Sequence, residues 1–488
     1  MRLMKPNYCA LVVVLPAMLL AACGGASPTQ SAAPSSPVSA SAPVSKSSVP
    51  ASSAAAASPA LSPAGSGSAA AKPAASAGAG ASAAAAGTPL KLGLLLPLTG
   101  PLSLNGKDNQ DTINLYLEQN GGQLAGRKIE LVTADDAADG TVGLTKTRQL
   151  VESDKVSVLM GLQSTQVCYA IAGYIRDNKI PSMATADCAP QDLTINPKYA
   201  SPYLIRTVGT IGQLTDPAAD WAYKAGYRKA IMMMSDFVAG IQFGDLFASA
   251  FVARGGSIVQ ELYPPLGTND MGPYLSQLNR DADIFVTFEG GTDGQRLAQQ
   301  YNNYVGSDRK LQILDLASQM SNGPKRNDLG ATAVGMVVNS NYMEVFDSPT
   351  NQAFLKVWYA KYPNKPPSQE NAWGWIGMQF LDTALKQVNG DVSDTQKFLN
   401  ALYAAQPETP KGVVKLDQYH DTVANIFIYQ FEKSGNSLIE KPIQTYNIGQ
   451  FWDRTLEQTM KFPFGQMKGK WVGMTKDKLG DVITLPKS

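Results

Sequence analysis

Short apolar runs alternate with amphipathic segments along residues 89–447, and this alternation constrains the fold more than any other feature of the sequence. A first series predicts strands at 90–98, 128–133, 156–160 and 180–184, with helices at 106–120, 139–153 and 165–178. A second series predicts strands at 229–235, 257–263, 284–288 and 311–314, with a helix at 240–254. Strands and helices that alternate at this spacing build parallel sheets from βαβ units. Two series therefore predict an α/β chain with two sheets, one in each of two lobes.

Charge and residue inventory exclude several classes of function. The formal net charge is +1 and charged residues make up 17% of the chain, so the concentrated Lys and Arg that bind nucleic acid are missing. Of the four cysteines, Cys9 and Cys23 precede the folded region, which leaves Cys168 and Cys188 and excludes a CxxC metal site. A single histidine, His420, excludes HExxH and multi-histidine centres. We therefore expect no metal and no cofactor.

The sequence also lacks the motifs of common catalytic sites. It contains no GxxxxGK[ST], no GxGxxG after a strand and no GxSxG. A Ser-His-Asp triad would need His420, which lies in the polar turn 417–421 before an apolar run, where a structural role is expected. Asp135 and Asp136 follow a strand, where helix capping explains them. These features argue against an enzyme, including an enzyme of the cell surface.

Residues 1–23 have the pattern of an export signal. Arg2 and Lys5 precede an apolar stretch at 10–22 that is too short for a membrane span of ~20 residues. The segment ends in Leu-Ala-Ala-Cys23, which resembles the lipobox of bacterial lipoproteins, where the cysteine carries the lipid. An ordinary signal peptide with an incidental cysteine is the alternative. We expect an extracytoplasmic protein that a lipid at Cys23 anchors to the cell membrane.

Residues 24–88 consist almost entirely of Ala, Ser, Pro and Gly, and Lys46 and Lys72 are their only charges. Such a segment cannot bury enough apolar surface to offset its ordering entropy. The composition predicts a disordered tether with a reach of roughly 40–50 Å. An O-glycosylated stalk is the other interpretation of this composition.

The segment Gly-Leu-Gln-Ser164-Thr165 joins a predicted strand to a predicted helix. Its hydroxyls and the free N–H groups of the first helical turn suit a carboxylate at the carboxyl edge of the sheet. A plain N-cap is the alternative, since every βαβ unit needs one. Cys168 falls in the first turn of this helix and Cys188 follows the next strand, so we predict a disulfide in an oxidising compartment. Two buried free thiols are the alternative.

Several segments, in this order, carry a resemblance to a known family; they are 91–105 (KLGLLLPLTGPLSLN), 121–136 (GGQLAGRKIELVTADD), 203–208, 263–273 (YPPLGTNDMGP), 288–291 (FEGG) and 417–420. The chain resembles the type I periplasmic solute-binding proteins of ABC importers, the Leu/Ile/Val-binding group, and within it the branch associated with aromatic compounds. The resemblance covers about residues 89–447. The tail 448–488 has no counterpart and no predicted role.

The resemblance implies two Rossmann-like lobes, each with a mainly parallel sheet, joined by three crossovers around a central cleft. We place the crossovers near 207–210, 335–339 and 413–417. The N-terminal lobe is then 89–208 plus 338–415, and the C-terminal lobe is 209–337 plus 416–447. Ligand binding at the carboxyl ends of the strands matches the general rule for open α/β sheets.

The resemblance also implies the ligand-binding positions, which in this sequence are Leu104, Asn105, Ser164, Thr165, Ala186, Asp187, Cys188, Phe237, Glu289, Gly290 and Asp315. Amino-acid binders usually carry tyrosines where this chain has Asn105 and either Phe237 or Ala239. Their acidic partner of the ligand amine is matched only loosely by Asp315. These departures favour an organic acid, in particular an aromatic one.

We therefore expect a solute-binding lipoprotein that delivers a small hydrophobic or aromatic carboxylate to the permease of an ABC importer. A branched-chain or other hydrophobic amino acid is the alternative ligand. A sensory subunit that signals through a membrane partner is the alternative role.

Overall fold

The structure is a computed structural model that describes residues 88–305, 311–323, 326, 329–435, 437–449 and 454–480. The predicted signal peptide with its Cys23, and all of the predicted tether except residue 88, lie outside these ranges. The described chain forms two sheets flanked by helices, as the alternating pattern predicts. No helix in the described ranges is long and apolar enough to cross a membrane.

The first sheet uses the strands β1 (Leu90–Leu96), β2 (Gln123–Leu124), β3 (Arg127–Asp135), β4 (Val158–Gly161), β5 (Ser182–Ala184) and β6 (Leu204–Arg206). Their order is β2-β3-β1-β4-β5-β6, and all neighbours are parallel except the β2–β3 pair. Its connecting helices are α1 (Ser103–Gln119), α2 (Gly140–Arg148), a π-helical turn (Gln149–Ser153) and α3 (Thr165–Asp177). The leucine-rich β1 is almost wholly buried, as expected of a central parallel strand with helices on both faces.

The second part of the chain adds ten strands: β7 (Lys229–Met234), β8 (Ser257–Leu262), β9 (Ile284–Phe288), β10 (Gln312–Leu316), β11 (Val337–Ser340), β12 (Glu408–Thr409), β13 (Gly412–Val413), β14 (Lys415–Leu416), β15 (Thr422–Ser434) and β16 (Ser437–Ile448). The second sheet has the order β14-β15-β11-β10-β9-β7-β8, and β16 also pairs with β15. Strands β7 to β11 are parallel, whereas β15 is antiparallel to β11 and to β16. Strands β12 and β13 pair only with each other.

The helices that follow α3 are α4 (Ile211–Lys224), α5 (Val238–Ala253), α6 (Gly272–Leu275), α7 (Thr292–Val305), α8 (Pro349–Lys361), α9 (Gln369–Gln387), α10 (Thr395–Ala404) and α11 (Leu456–Lys461), with 3-10 turns at Gly330–Ala333 and Lys476–Lys478. Helices α4 and α5 pack with the second sheet. Helices α8 to α10 share one hydrophobic core with the first sheet, in which Trp358 and Ile376 lie with Leu92.

Strand β11 shows where the chain leaves the second sheet. Val337 to Ser340 pair with β10 and β15, so the predicted boundary between residues 337 and 338 falls inside this strand. The chain therefore leaves the second sheet after Ser340. The apolar and polar pattern does not predict this strand, and the boundary comes from the crossover that the resemblance places near 335–339.

The end of the chain packs on the second sheet and its helices, a role that the sequence did not suggest. Strand β16 completes the pairing of β15. Farther on, Trp471 is fully buried, and its Nε1 donates a hydrogen bond of 2.9 Å to Asp245 Oδ1 on α5. Arg454 binds both carboxylate oxygens of Asp216 on α4 at 2.9 Å. We call residues 454–480 the C-terminal extension.

A buried ion pair joins the end of β6 to the turn before β15. Arg206 Nε and Nη2 donate to the two carboxylate oxygens of Asp421 at 2.5 and 2.7 Å, and both side chains are fully buried. His420, next to Asp421, has φ 65° and its ring stacks on Tyr403 with centroids 4.0 Å apart. His420 is therefore a structural residue of a turn, as the sequence predicts.

Cys168 and Cys188 form a disulfide. The bond connects the first turn of α3 to the loop after β5, and both residues are buried in the core beside Ile171 and Leu193. It therefore fixes the two loops of the first sheet that carry Ser164 and Asp187.

Candidate functional site

A small cavity of about 280 Å³ lies at the carboxyl ends of strands from both sheets. Its lining residues are Leu102, Asn105, Gln163, Ser164, Thr165, Asp187, Phe237, Ala239, Phe288, Gly290 and Gln319. We call it the inner pocket. The structure thus brings together six of the predicted ligand-binding residues, which are Asn105, Ser164, Thr165, Asp187, Phe237 and Gly290.

Ser164 is the N-cap residue of α3, but its side chain does not cap the helix. Its hydroxyl is buried and has no hydrogen-bond partner among the described residues. By contrast, the hydroxyl of Ser348 accepts a hydrogen bond of 3.1 Å from the Asn351 amide at the start of α8. Because an unpaired buried hydroxyl costs free energy, Ser164 is suited to a polar ligand group rather than to its own helix.

The chain before Ser164 is shaped to place that hydroxyl at the pocket. Gly161 has φ 87° and Leu162 has φ 61°, so two successive residues lie in the left-handed region at the end of β4. The Leu162 amide donates to the Leu95 carbonyl at 2.9 Å, which holds this turn to β1. The N-terminus of α3, with its free N–H groups and positive dipole end, therefore faces the pocket.

A second helix also begins at the inner pocket, with an aromatic residue at its cap. Phe237 is the N-cap of α5, and it stacks on Phe288 with ring centroids 6.3 Å apart. Phe288 in turn stacks on Phe243 at 3.9 Å. One wall of the pocket is therefore apolar and aromatic, whereas the opposite wall at Ser164 presents hydrogen-bonding groups.

Asp187 is the only ionisable residue among the described residues of the lining. Burial, and then the nearby Glu370 carboxylate, raise the pKa of Asp187 well above its usual value. Its Oδ1 has no hydrogen-bond partner among the described residues. A carboxyl group that stays protonated can donate a hydrogen bond to an anion. The pocket thus combines neutral donors with two helix N-termini and holds no lysine or arginine in its described lining.

Contacts across the cleft close the pocket on one side. Asn105 Nδ2 donates to Gln319 Oε1 at 3.3 Å, and the Thr292 amide donates to the Pro101 carbonyl at 3.2 Å. Both bonds connect the start of α1 to loops of the second sheet. A ligand in the pocket is therefore enclosed by both sheets.

The other predicted ligand-binding residues do not line the pocket; they are Leu104, Ala186, Cys188, Glu289 and Asp315. Leu104 lies in the first turn of α1, because that helix begins at Ser103 and not at residue 106. Ala186 is buried in the core of the first sheet, and Cys188 is bound in the disulfide.

Both acidic residues among them accept hydrogen bonds from protein groups, although Glu289 Oε1 has no partner among the described residues. Glu289 Oε2 accepts a hydrogen bond of 2.6 Å from Ser235 Oγ, and burial raises the pKa of Glu289 well above its usual value. The Asp315 carboxylate accepts bonds from the amides of Met320 and Ser321 at 3.1 Å and from Ser321 Oγ at 2.7 Å. Asp315 therefore supports a loop of the site and does not line the inner pocket.

The lining residues that the sequence did not predict are Leu102, Gln163, Ala239, Phe288 and Gln319. Ala239 was not among the predicted ligand-binding residues; it is one of the two alternative positions at which amino-acid binders usually carry tyrosine. Gln163 and Gln319 follow the carboxyl ends of β4 and β10, so their position in a βα loop was a usable signal. The described residues contain no group of three or more His, Cys, Asp or Glu side chains that could hold a metal ion.

Sequence comparison shows which known proteins this chain is similar to. The periplasmic binding protein family matches residues 89–436. A Leu/Ile/Val-binding protein homolog 6 of Brucella abortus is 26% identical over 365 residues, which cover 73% of this chain and 91% of the relative.

Solved structures extend the similarity to the fold. An ABC transporter substrate-binding protein from Sphaerobacter thermophilus is 30% identical with a TM-score of 0.68, covering 74% of this chain and 98% of that one. A solute-binding protein of Rhodopseudomonas palustris BisB5, in complex with 3,4-dihydroxybenzoic acid, is 27% identical with a TM-score of 0.68, covering 73% of this chain and 97% of that one.

The family match spans the first sheet, the second sheet except β16, and the loops that build the pocket. The family consists of extracytoplasmic binding components of transporters and not of enzymes. The chain therefore belongs to the periplasmic binding protein family of type I, as a solute-binding protein of an ABC transporter.

Proposed function

We propose that the protein captures a small aromatic or hydrophobic carboxylate in the inner pocket and delivers it to the permease of an ABC importer. The observation that carries this proposal is the buried, unpaired hydroxyl of Ser164 at the N-terminus of α3. A ligand carboxylate would accept from this hydroxyl and from the free N–H groups of the first turn. Hydrogen bonds to charged groups contribute ~1.5–3 kcal/mol each, and the helix dipole adds to them.

The aromatic wall supports the class of the ligand. Phe237 and Phe288 place aromatic rings in the lining, so a planar ring can pack against them while its carboxylate meets Ser164. The solved relative with 3,4-dihydroxybenzoic acid binds a ligand of this class.

Binding would close two lobes around the ligand. The proposed N-terminal lobe is the first sheet with α8 to α10, and the proposed C-terminal lobe is the second sheet with its helices and the C-terminal extension. Closure shifts a population toward the state that the ligand binds better, and that state would present a joint surface to the permease.

Calorimetry with benzoate, benzamide and phenylalanine tests the charge requirement. We expect the acid to bind at least tenfold more tightly than the amide, because the amide lacks the anionic acceptor. Equal affinities for acid and amide would overturn the carboxylate anchor. A phenylalanine affinity far above that of benzoate would favour the second candidate function.

That second candidate is an amino-acid binding protein, and Asp187 is the observation in its favour. The unpaired Oδ1 of Asp187 could accept a hydrogen bond from a ligand ammonium group, which would then keep the carboxylate ionised. The curated relative named for Leu, Ile and Val points in the same direction.

We also propose that a lipid on Cys23 anchors the protein and that residues 24–88 act as the tether. The support is the Leu-Ala-Ala-Cys23 sequence and the Ala/Ser/Pro/Gly composition that follows it. In the Cys23→Ser variant we expect an unlipidated precursor that leaves the detergent phase in a phase-separation assay. A variant that partitions like the wild type would contradict lipidation.

A further inference from the structure

A second cavity, of about 1220 Å³ and open to solvent, lies beside the inner pocket. One side comes from Tyr169 and Tyr199, which follow β4 and β5 of the first sheet, and from the first turns of α5 at Gln242. The other side comes from residues 460–466 of the C-terminal extension. We call this space the outer cavity.

The inner pocket and the outer cavity share two helices. On α3, Thr165 lines the inner pocket and Tyr169, one turn later, lines the outer cavity. On α5, Ala239 lines the inner pocket and Gln242, three residues later, lines the outer cavity. The outer cavity therefore continues the cleft outward, between the same two elements.

The wall formed by the C-terminal extension is fixed in place by buried contacts. Besides the Trp471–Asp245 and Arg454–Asp216 bonds, the amides of Trp471 and Gly469 donate to the Glu261 carboxylate at 2.7 and 2.9 Å. The matching region of the family ends at residue 436. The outer cavity thus has one wall that belongs to this chain and lies outside the family match.

Aromatic rings lie on both sides of the outer cavity. Tyr169 and Tyr199 have ring centroids 4.5 Å apart, and Phe462 and Phe464 on the facing side have centroids 4.9 Å apart. Stacking between two aromatic walls selects a flat, conjugated molecule.

Polar groups at the outer cavity define the rest of the ligand. Gln242 is buried, and its Nε2 donates to Tyr169 Oη at 3.0 Å, whereas its Oε1 has no partner among the described residues. Lys198 Nζ lies 4.9 Å from the centre of the Tyr199 ring and forms no ion pair within the described ranges. Asp192 also lines this cavity; its carboxylate accepts hydrogen bonds from Tyr169 Oη at 2.5 Å and from Asn196 Nδ2 at 3.0 Å, and its charge acts on Lys198 from a distance. The unpaired Gln242 oxygen suits a ligand hydroxyl, and Lys198, which no carboxylate contacts directly within the described ranges, suits an anionic group placed on the side away from Asp192.

We propose that the outer cavity is a second binding site, for a hydroxylated aromatic carboxylate, and that the C-terminal extension creates it. The ring lies between the tyrosine and phenylalanine walls, the carboxylate meets Lys198, and the hydroxyl donates to Gln242 Oε1. This inference takes its ligand class from the proposed function, but it depends on a different set of residues.

Calorimetry of the full body, residues 88–488, with 3,4-dihydroxybenzoate tests the site. We expect two molecules per chain, one tight and one weaker. The double variant Lys198→Ala/Phe464→Ala should weaken the second phase roughly tenfold or more, because it removes the cation and one aromatic wall. The Ser164→Ala variant should weaken the tight phase alone. Lys433→Ala, at an exposed lysine of β15, is the matched control and should change neither phase.

The outcomes separate the two proposals. One molecule per chain, lost in Ser164→Ala and unchanged in Lys198→Ala/Phe464→Ala, would overturn the outer site and leave the proposed function intact. Two molecules that are both insensitive to Ser164→Ala would overturn the inner assignment. Two molecules that are both insensitive to the double variant would overturn the outer site. Absence of any binding would contradict this ligand class at both places.

Discussion

Gly291 and Pro101 face each other across the cleft so closely that a Cβ atom on Gly291 would lie 2.2 Å from the Pro101 carbonyl oxygen. No side chain fits in that space while the Thr292 amide is bonded to the same carbonyl. Gly291 also has φ 61°, which glycine adopts at little cost. The closed cleft thus depends on the absence of a side chain at this position.

In the Gly291→Ala variant we expect ligand affinity to fall roughly tenfold or more, because the methyl group opposes closure and lowers the fraction of binding-competent molecules. Gly121→Ala is a matched control, since Gly121 has φ 63° and open space around its missing Cβ. Both variants should lose similar stability from the backbone alone, and only Gly291→Ala should lose affinity. Equal affinities in the two variants, measured by calorimetry, would show that closure is not needed.

Ser164 and Ser348 should respond in opposite ways to the loss of their hydroxyls. Ser348→Ala removes a helix cap and should cost about 1 kcal/mol of unfolding free energy with no change in affinity. Ser164→Ala removes an uncapped, unpaired hydroxyl, so it should preserve stability and weaken carboxylate binding roughly 10- to 100-fold. Thr165→Ala should weaken binding in the same direction. Urea unfolding and calorimetry on the three variants measure both quantities. A stability loss without an affinity loss in Ser164→Ala would restore the plain N-cap interpretation.

Because the pKa of Asp187 is raised, we expect ligand binding to depend on pH. Its pKa is raised by burial, so the protonated group donates to an anionic ligand at low pH and repels it once ionised. Affinity for benzoate should therefore fall as the pH rises toward the raised pKa of Asp187. The Asp187→Asn variant keeps a neutral donor, so its affinity for benzoate should change less with pH than that of the wild type. If the ligand instead carries an ammonium group, the same variant should lose most of its affinity at every pH.

Because Lys411 is buried and its pKa is lowered, we expect the free energy of unfolding to depend on pH. Its side chain is fully buried, and Nζ donates to Asn341 Oδ1 at 3.2 Å. Burial lowers the pKa of Lys411 to about 7, whereas an unfolded lysine titrates near ~10.4. Between these values the unfolded chain binds the proton that the folded chain has released, so this residue raises the unfolding free energy with pH by up to ~1.4 kcal/mol per unit.

The Lys411→Met variant should remove that slope. Its gain in unfolding free energy over the wild type should be largest below pH 7 and should shrink toward pH 10. Lys415→Met, at an exposed lysine of β14, should stay within about 0.5 kcal/mol of the wild type. A constant difference between Lys411→Met and the wild type over this range, in urea unfolding, would contradict the prediction.

The pair Cys168 and Cys188 is tested by thiol counting. On denatured, unreduced body, residues 88–488, we expect no free thiol, and we expect two after reduction. Reduction should also lower the unfolding free energy by about 3 kcal/mol, since the bond closes a loop of about 20 residues. Two free thiols before reduction would contradict the bond in the exported protein.

The strands were predictable because buried parallel strands are short apolar runs, and β1, β7 and β9 lie where the runs place them. The start of α1 was not. The helix begins at Ser103, and no side chain caps its N-cap Leu102, so the usual capping signal is missing. The burial of Trp471 was equally invisible, because a single tryptophan in a polar stretch has no periodicity.

Site residues could be predicted where their position directly after a strand places them at the ligand-binding edge of the sheet. Ser164, Asp187 and Phe237 follow strand ends, and the carboxyl ends of parallel strands meet at one edge. Asp315 also follows this rule of position, yet its carboxylate is bound by the amides of its own loop. Such partners depend on how a loop folds back, which a pattern of residue types does not contain.

Each hydrophobic core combines segments that are far apart in the sequence, and this affects when the protein can fold during synthesis. Leu90 and Leu92 of the first sheet share their core with Phe398 and Leu402 of α10, about 300 residues later. Trp471 covers α5, which was synthesised more than 200 residues before it. Neither sheet with its helices is a continuous stretch that could fold while the rest is still being made. The native cores of both sheets can therefore be completed only after almost the whole chain has been synthesised.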